Sequence, residues 1–363
     1  MPANRAPEEQ PGHLRTSWRQ TRRIACLLAL TLALLAPYHC ASAAPPGYRL
    51  GNGLDLGPFN VAGYSNIEAD APRGMPSEIS ADLSLFLSGH FNRYVNPFSE
   101  TEIDQLPLLR QPGASGSTSL AVERLYDDVY LGASTTLRLG KILTPAGEWN
   151  LVHAAPLVWT VTRPLATYYS FPVSVTGASL NFRESYRGNW DLHAYVQPNV
   201  DAWWKSGDHA PRPYSRVAGI DVRYAWDALA HYRLGIAWQR ADLPLGGGTQ
   251  EFASVYGGFS TGQLRWSFQG DMAHIRGSAL ALPHAREEGG YLQAVYPVAK
   301  RWYVVAQGER YQARDYQKPA LRRLAGVVYR PHPAIAWKLD LVDATGAPIG
   351  SPSGIYAAWA VLF

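Results

Sequence analysis

The feature that most constrains this chain is an alternation of period two that returns repeatedly after residue 58. In Leu264-Arg265-Trp266-Ser267-Phe268-Gln269-Gly270-Asp271-Met272, apolar residues or glycine take one face, and Arg, Ser, Gln and Asp take the other. Successive side chains of a strand point to opposite faces, so this reads as a strand with one greasy and one wet side. The same alternation runs through 218–224, 232–238 and 335–341, and no comparable helical stretch appears after residue 43.

A water-soluble sandwich also alternates, so the period alone does not fix the solvent. Aromatic placement and connector length discriminate. Tyr224, Trp226, Trp238, Trp266, Tyr296, Trp302, Tyr329 and Trp337 fall on or near the apolar faces and often near strand ends, as an interfacial girdle requires. Tight turns at Trp226 to Leu229, Ser260 to Gly262, Pro297 to Lys300 and Arg330 to Pro333 alternate with long polar loops at 198–214, 241–249, 276–287 and 344–352. That asymmetry marks a transmembrane β-barrel.

Counting on this rule predicts strands at 59–68, 80–91, 96–103, 120–131, 135–142, 173–183, 189–197, 215–226, 229–240, 250–260, 263–275, 288–297, 301–312, 320–330, 333–343 and 353–363, a total of 16. An even number places both chain ends, and every tight turn, on the periplasmic side. The weakest members are 96–103 and 120–131, where alternation is imperfect around Glu123 and Asp127. The expected fold class is all-β: a transmembrane antiparallel up-and-down β-barrel of about 16 strands, or 14 if one hairpin is lost.

The first 43 residues read differently. Arg15, Arg19, Arg22 and Arg23 precede an apolar run from Ile24 to Leu35; Pro37 breaks the helix, and Ala41-Ser42-Ala43 offers small residues for cleavage. The run is about 12 residues, short of the ~18 to 20 that a spanning helix needs, so it reads as a cleaved signal peptide rather than an anchor. Ile24-Ala25-Cys26 lacks the bulky pattern of a twin-arginine signal, and Pro37-Tyr38-His39 is not the small-residue approach to a lipidated Cys40. The expected domains are a signal at 1–43 and a single barrel at 44–363.

Removing 1–43 takes away five Arg and two Glu, leaving 28 basic and 27 acidic residues from totals of 33 and 29. Nucleic-acid binding loses its support, because phosphate affinity needs a basic surplus on one face. Both cysteines, Cys26 and Cys40, leave with the signal, so no disulfide, thiolate metal site or cysteine nucleophile is expected.

The chain stops on Ile355, Ala357, Trp359, Val361 and Phe363 on one face, which looks like the terminal strand that outer-membrane barrels present to their assembly machinery. One connection breaks the tight-and-long scheme. About 30 residues separate Ile142 from Val173, and they include Pro145, Trp149, Pro156, Trp159 and Pro164. A structureless connection of that length is usually functional or disordered. Its prolines and aromatics argue for a segment folded into the lumen as a constriction loop.

Leu137-Arg138-Leu139-Gly140-Lys141-Ile142-Leu143-Thr144-Pro145-Ala146-Gly147, preceded by Glu123-Arg124-Leu125-Tyr126, resembles the strand-to-constriction-loop passage of Gram-negative outer-membrane porins related to the phosphate-selective group. Members typically read Arg-x-Gly-Lys and then Thr-Pro-Phe-Gly, and Ala146 departs from that pattern. The local match covers roughly 60 residues. The phosphate-selective members use a run of lumenal Arg and Lys, which does not map onto this sequence residue by residue. The resemblance implies an outer-membrane location in a Gram-negative cell and a porin role, not an enzyme.

The remaining constellations carry little. Gly51-Asn52-Gly53 and Gly246-Gly247-Gly248 do not follow a strand and open a helix with Lys-Ser/Thr, so they read as flexible connectors rather than phosphate cradles. The ten His have no metal-ligand spacing, and neither His153 nor His193 can be given a Ser partner.

Function is therefore expected to be passive diffusion of small hydrophilic solutes, since a barrel of 16 strands leaves an aqueous channel. The alternatives are a barrel-embedded envelope enzyme of lipase, protease or deacylase type, and a structural barrel that binds a partner. Arg138, Lys141, Glu148, His153 and Arg163 are the candidate constriction residues. Two to three cationic groups against Glu148 suggest mild anion selectivity, because a narrowing focuses the field of its charges. The competing reading makes them loop-wall salt bridges, for instance Glu148 with Lys141. Expected partners are outer-membrane lipid, the barrel-assembly machinery during biogenesis and small hydrophilic solutes, with monomer and homotrimer both open. No catalytic residue, cofactor, metal or nucleic acid is expected.

Overall fold

The computed structural model describes residues 47–114, 118–200, 213–227, 229, 231–244, 246–280 and 282–363. The expected signal at 1–43 and most of the connection 198–214 lie outside these residues. Two short strands, β1 (Gly47–Arg49) and β2 (Gly53–Leu56), form a small hairpin. Sixteen longer strands follow: β3 (Phe59–Pro72), β4 (Glu78–Gly89), β5 (Pro97–Arg110), β6 (Ser119–Tyr130), β7 (Thr135–Leu143), β8 (Ser174–Glu184), β9 (Asn189–Gln197) and β10 (Ser215–Ala225) make the first half. The second half is β11 (Arg233–Leu243), β12 (Gly248–Thr261), β13 (Leu264–Arg276), β14 (Arg286–Ala299), β15 (Trp302–Gln312), β16 (Ala320–His332), β17 (Ile335–Gly346) and β18 (Gly354–Leu362).

Each of β3 to β18 pairs antiparallel with the next, and β18 closes on β3 with Trp359 opposite Ile67. Closure leaves these sixteen strands without a sheet edge, so each of them finds its backbone partners within the barrel. Along β13, Trp266, Phe268, Gly270 and Met272 take the outer face, while Ser267, Gln269 and Asp271 take the inner one. Met272 is 44% exposed and Asp271 only 6%. An apolar residue outside and a carboxylate inside is the reverse of a water-soluble fold, and it is what a lipid-facing wall demands.

The outward aromatics collect near the short-turn end. Trp302 stacks on Tyr329 with ring centroids 4.7 Å apart, Trp337 lies 6.0 Å from Trp359, and Tyr224 sits between Trp190 and Trp226. Connections 226–232, 262–263, 300–301 and 333–334 share this end.

All sixteen expected strands are present, including the two weakest, and the differences are at their ends. β5 runs to Arg110 because register shifts in its pairing with β4 and a left-handed Gln105 (φ 55) reset its alternation partway along. β11 starts at Arg233 rather than 229. The carboxylate of Asp227 accepts the backbone N–H groups of Leu229, His231 and Tyr232 and shapes the turn before it. The long loop expected at 241–249 shrinks to 244–247, since β11 and β12 stay paired as far as Leu243 and Gly248.

Candidate functional site

The connection 144–173 folds inward and packs against one side of the wall. It holds a single helical turn, α1 (Glu148–Leu151), and a short 3-10 turn at Leu165–Thr167. Its launch depends on the glycines of the sequence motif. Gly140 has φ 133, and a Cβ there would lie 2.2 Å from the Leu125 carbonyl oxygen; Gly147 has φ 92 and would strike the Gln269 side chain. Gly140 excludes other residues on both conformation and space, and Gly147 on conformation.

Asn150 is fully buried and closes the base of the loop, its Nδ2 donating to the carbonyls of Thr144 and Val173 at 2.8 Å each. Further along, the wall holds the loop through its backbone. Arg330 donates to the Val158 carbonyl at 3.0 Å, Lys338 to Thr160 at 3.0 Å and Arg322 to Arg163 at 2.8 Å. Asp340 accepts the Val161 N–H at 2.6 Å, and Glu309 accepts that of Leu165 at 2.8 Å. Gln269 donates to the Ala166 carbonyl at 2.8 Å. Rings add to these contacts: Trp159 packs on Tyr303 at 5.0 Å beneath the Arg330 guanidinium, and Phe171 packs on Phe252 at 5.2 Å.

With the loop seated on β11 to β17, the free space lies beside β3 to β6. A cavity of about 650 Å³ runs from Met75, Gly113 and Gly350 at the long-loop mouth down to His153 and Val158. A second, of about 330 Å³, opens at the short-turn end beside Asp55, His90 and Tyr130. Between the two, Arg124 lies over Phe98 and pairs with Glu100, and Arg138 lies over Tyr126.

The five residues singled out from sequence take different places. Arg138 is engaged bidentately by Asp128 at 2.7 and 2.8 Å, toward the short-turn end. Lys141 is buried in β7, opposite Leu125 and Thr176. Glu148 pairs with Arg233 of β11 rather than with Lys141. His153 lines the larger cavity, with Nδ1 3.1 Å from the Asn150 carbonyl oxygen. Arg163 lines it too, yet its guanidinium is turned back into the loop. It donates to Thr167 Oγ1 at 3.0 Å, the Thr167 carbonyl at 2.7 Å and Asn150 Oδ1 at 2.8 Å. Burial pushes it down to about 10, against the pull of Tyr168 and Glu123, so it stays charged at neutral pH. His193 contacts Asn181, Asp191 and Arg223.

Sequence reasoning missed the opposite side of the cavity, where Glu68, Asp70, Asp82 and Glu102 stand on the inner faces of β3, β4 and β5. A charge count taken per strand face, rather than within the long connection alone, exposes them.

No protein-family profile matches the chain. It is 24% identical over 354 residues to an uncharacterized protein of Aquifex aeolicus, covering 83% of this chain and 78% of that protein. Among solved structures it is similar to OmpF of Salmonella typhi, determined with daunomycin, at TM-score 0.61 and 10% identity over 88% of this chain and 99% of that one. It is also similar to the trimer form of OmpT, an outer-membrane protein of Vibrio cholerae, at 0.57 and 11% over 84% and 99%. The anion-selective porin of Comamonas acidovorans follows at 0.53 and 12% over 84% and 98%. At these identities the likeness is one of fold, a closed antiparallel barrel of sixteen strands shared with outer-membrane porins.

Proposed function

We propose that this chain is an outer-membrane channel through which small hydrophilic solutes diffuse down their gradients. The observation that supports it most is the inward loop, which leaves a cavity of about 650 Å³ beside the carboxylates of β3 to β6 instead of filling the lumen. Lipid of the outer membrane would cover the outward aromatic faces, and the assembly machinery would take up the last strand. Residues 1–43 would serve as the cleaved export signal. The trimer form of OmpT among the similar structures supports a homotrimer as the assembly.

Mild anion selectivity gains no support from the placement of the expected cations. Arg138 is paired with Asp128, and Arg163 serves the fold of the loop. Phosphate passage is not favoured either, because the wall facing the loop is acidic. Of the five residues, His153 and Arg163 are the ones proposed to border the narrowing.

Liposome swelling tests the reading. Vesicles carrying the purified protein should swell in small uncharged sugars, and more slowly as the sugar grows. Swelling no faster than in protein-free vesicles would overturn it and return attention to an enzyme or a partner-binding barrel.

A further inference from the structure

Resting on that channel reading, we propose that the passage beside β3 to β6 is a cation filter whose solutes are small cations and, among organic molecules, amines. Glu68, Asp70, Asp82, Glu102, Asp104 and Glu123 line it together with Glu78, against Arg163 and Lys338. With Glu78 paired to Arg110, six carboxylates face these two cationic side chains. Like charges this close do not all ionise together, but with half of them protonated the wall would still outweigh Arg163 and Lys338.

Strand register makes these carboxylates a ladder. Glu68 and Asp70 share the inner face of β3 about 7 Å apart, Asn66 stands opposite Asp82, and Asp70 stands opposite Glu78. Arg110 neutralises Glu78. Lower members are held in place by hydrogen bonds. Tyr64 donates its hydroxyl to Glu102 at 2.8 Å, the Gln105 N–H donates to Asp82 at 2.8 Å, and Asn66 Nδ2 donates to Glu68 at 2.5 Å. Both cations also donate to the inward loop, Arg163 to the Thr167 carbonyl and Lys338 to the Thr160 carbonyl.

A separate observation concerns acceptors. Asn66 is 2% exposed and lines the cavity; its amide nitrogen is spent on Glu68 and Asp82, while its Oδ1 accepts no hydrogen bond. Asp70 Oδ1 is in the same position. Buried acceptors beside carboxylates call for a positively charged donor. Rings of Tyr64, Trp149, Tyr168 and Tyr356 line the same space, and aromatic faces attract ammonium groups. Among the described residues no group of three or more His, Cys, Asp or Glu has the geometry to hold a metal.

The test is the reversal potential of the reconstituted full chain across a potassium chloride gradient, repeated with 1,4-diaminobutane dihydrochloride. Wild type should pass potassium about tenfold faster than chloride, as field focusing in a charged cleft allows, and the diamine should carry cationic current. Glu68→Gln combined with Asp82→Asn should bring the potassium-to-chloride ratio toward one. Wild-type channels that favour chloride, or that do not discriminate, overturn the filter while leaving the channel standing. A double variant that conducts with an unchanged ratio also overturns it. If wild type shows no current steps at all, the channel reading fails and takes the filter with it.

Discussion

Asn150 joins three segments at a single fully buried side chain: Nδ2 spans the carbonyls of Thr144 and Val173, and Oδ1 receives Arg163. Removing it strands buried polar groups at a cost of about 1–3 kcal/mol each. Asn150→Ala should therefore lower the thermal unfolding temperature of the detergent-solubilised barrel by several degrees while leaving the strands assembled; an unchanged temperature would contradict this role. Nothing in the sequence around Asn150 announces it, because an asparagine in a connection rich in proline has no period to stand out from. Charged residues were easier to find than to interpret. Glu148 and Arg163 were legible as members of the inward segment, but their partners were not, since Arg233 follows Glu148 by 85 positions and Arg163 bonds to uncharged groups.

At the scale of elements, the strands were readable because lipid on one face and water on the other enforce a strict period of two. That constraint slipped most at β5 and before β11, where bulges or turn chemistry reset it. The landing place of 144–173 was not readable. It depends on contacts such as Val161 with Asp340, which are 179 residues apart. The closing strand was visible as an apolar face, and its seam is now specific: Phe363 N–H donates to the Gly63 carbonyl at 2.8 Å and its carbonyl accepts the Gly63 N–H at 2.9 Å. Deleting Phe363 removes both bonds, each about 1 kcal/mol net, at the point where the barrel shuts. Assembled protein in the outer membrane should fall and unassembled chain accumulate in the periplasm; normal levels would count against this seam as a determinant of assembly.

For the whole molecule, one asymmetry governs the account. The loop covers the wall from β11 to β17, where buried Gln250, Gln269, Arg322 and Asp340 meet it, and leaves the acidic side from β3 to β6 facing open space. A barrel of sixteen strands is wide enough for a water-filled lumen, so the loop, and not the wall, sets how narrow the passage becomes. The most direct test is single-channel conductance in a planar bilayer for wild type and for a variant in which 149–162 is replaced by a short Gly-Ser linker. Wild type should give small, stable open steps, and the variant should give steps several-fold larger. Equal step sizes in the two proteins would contradict a passage defined by the inward loop.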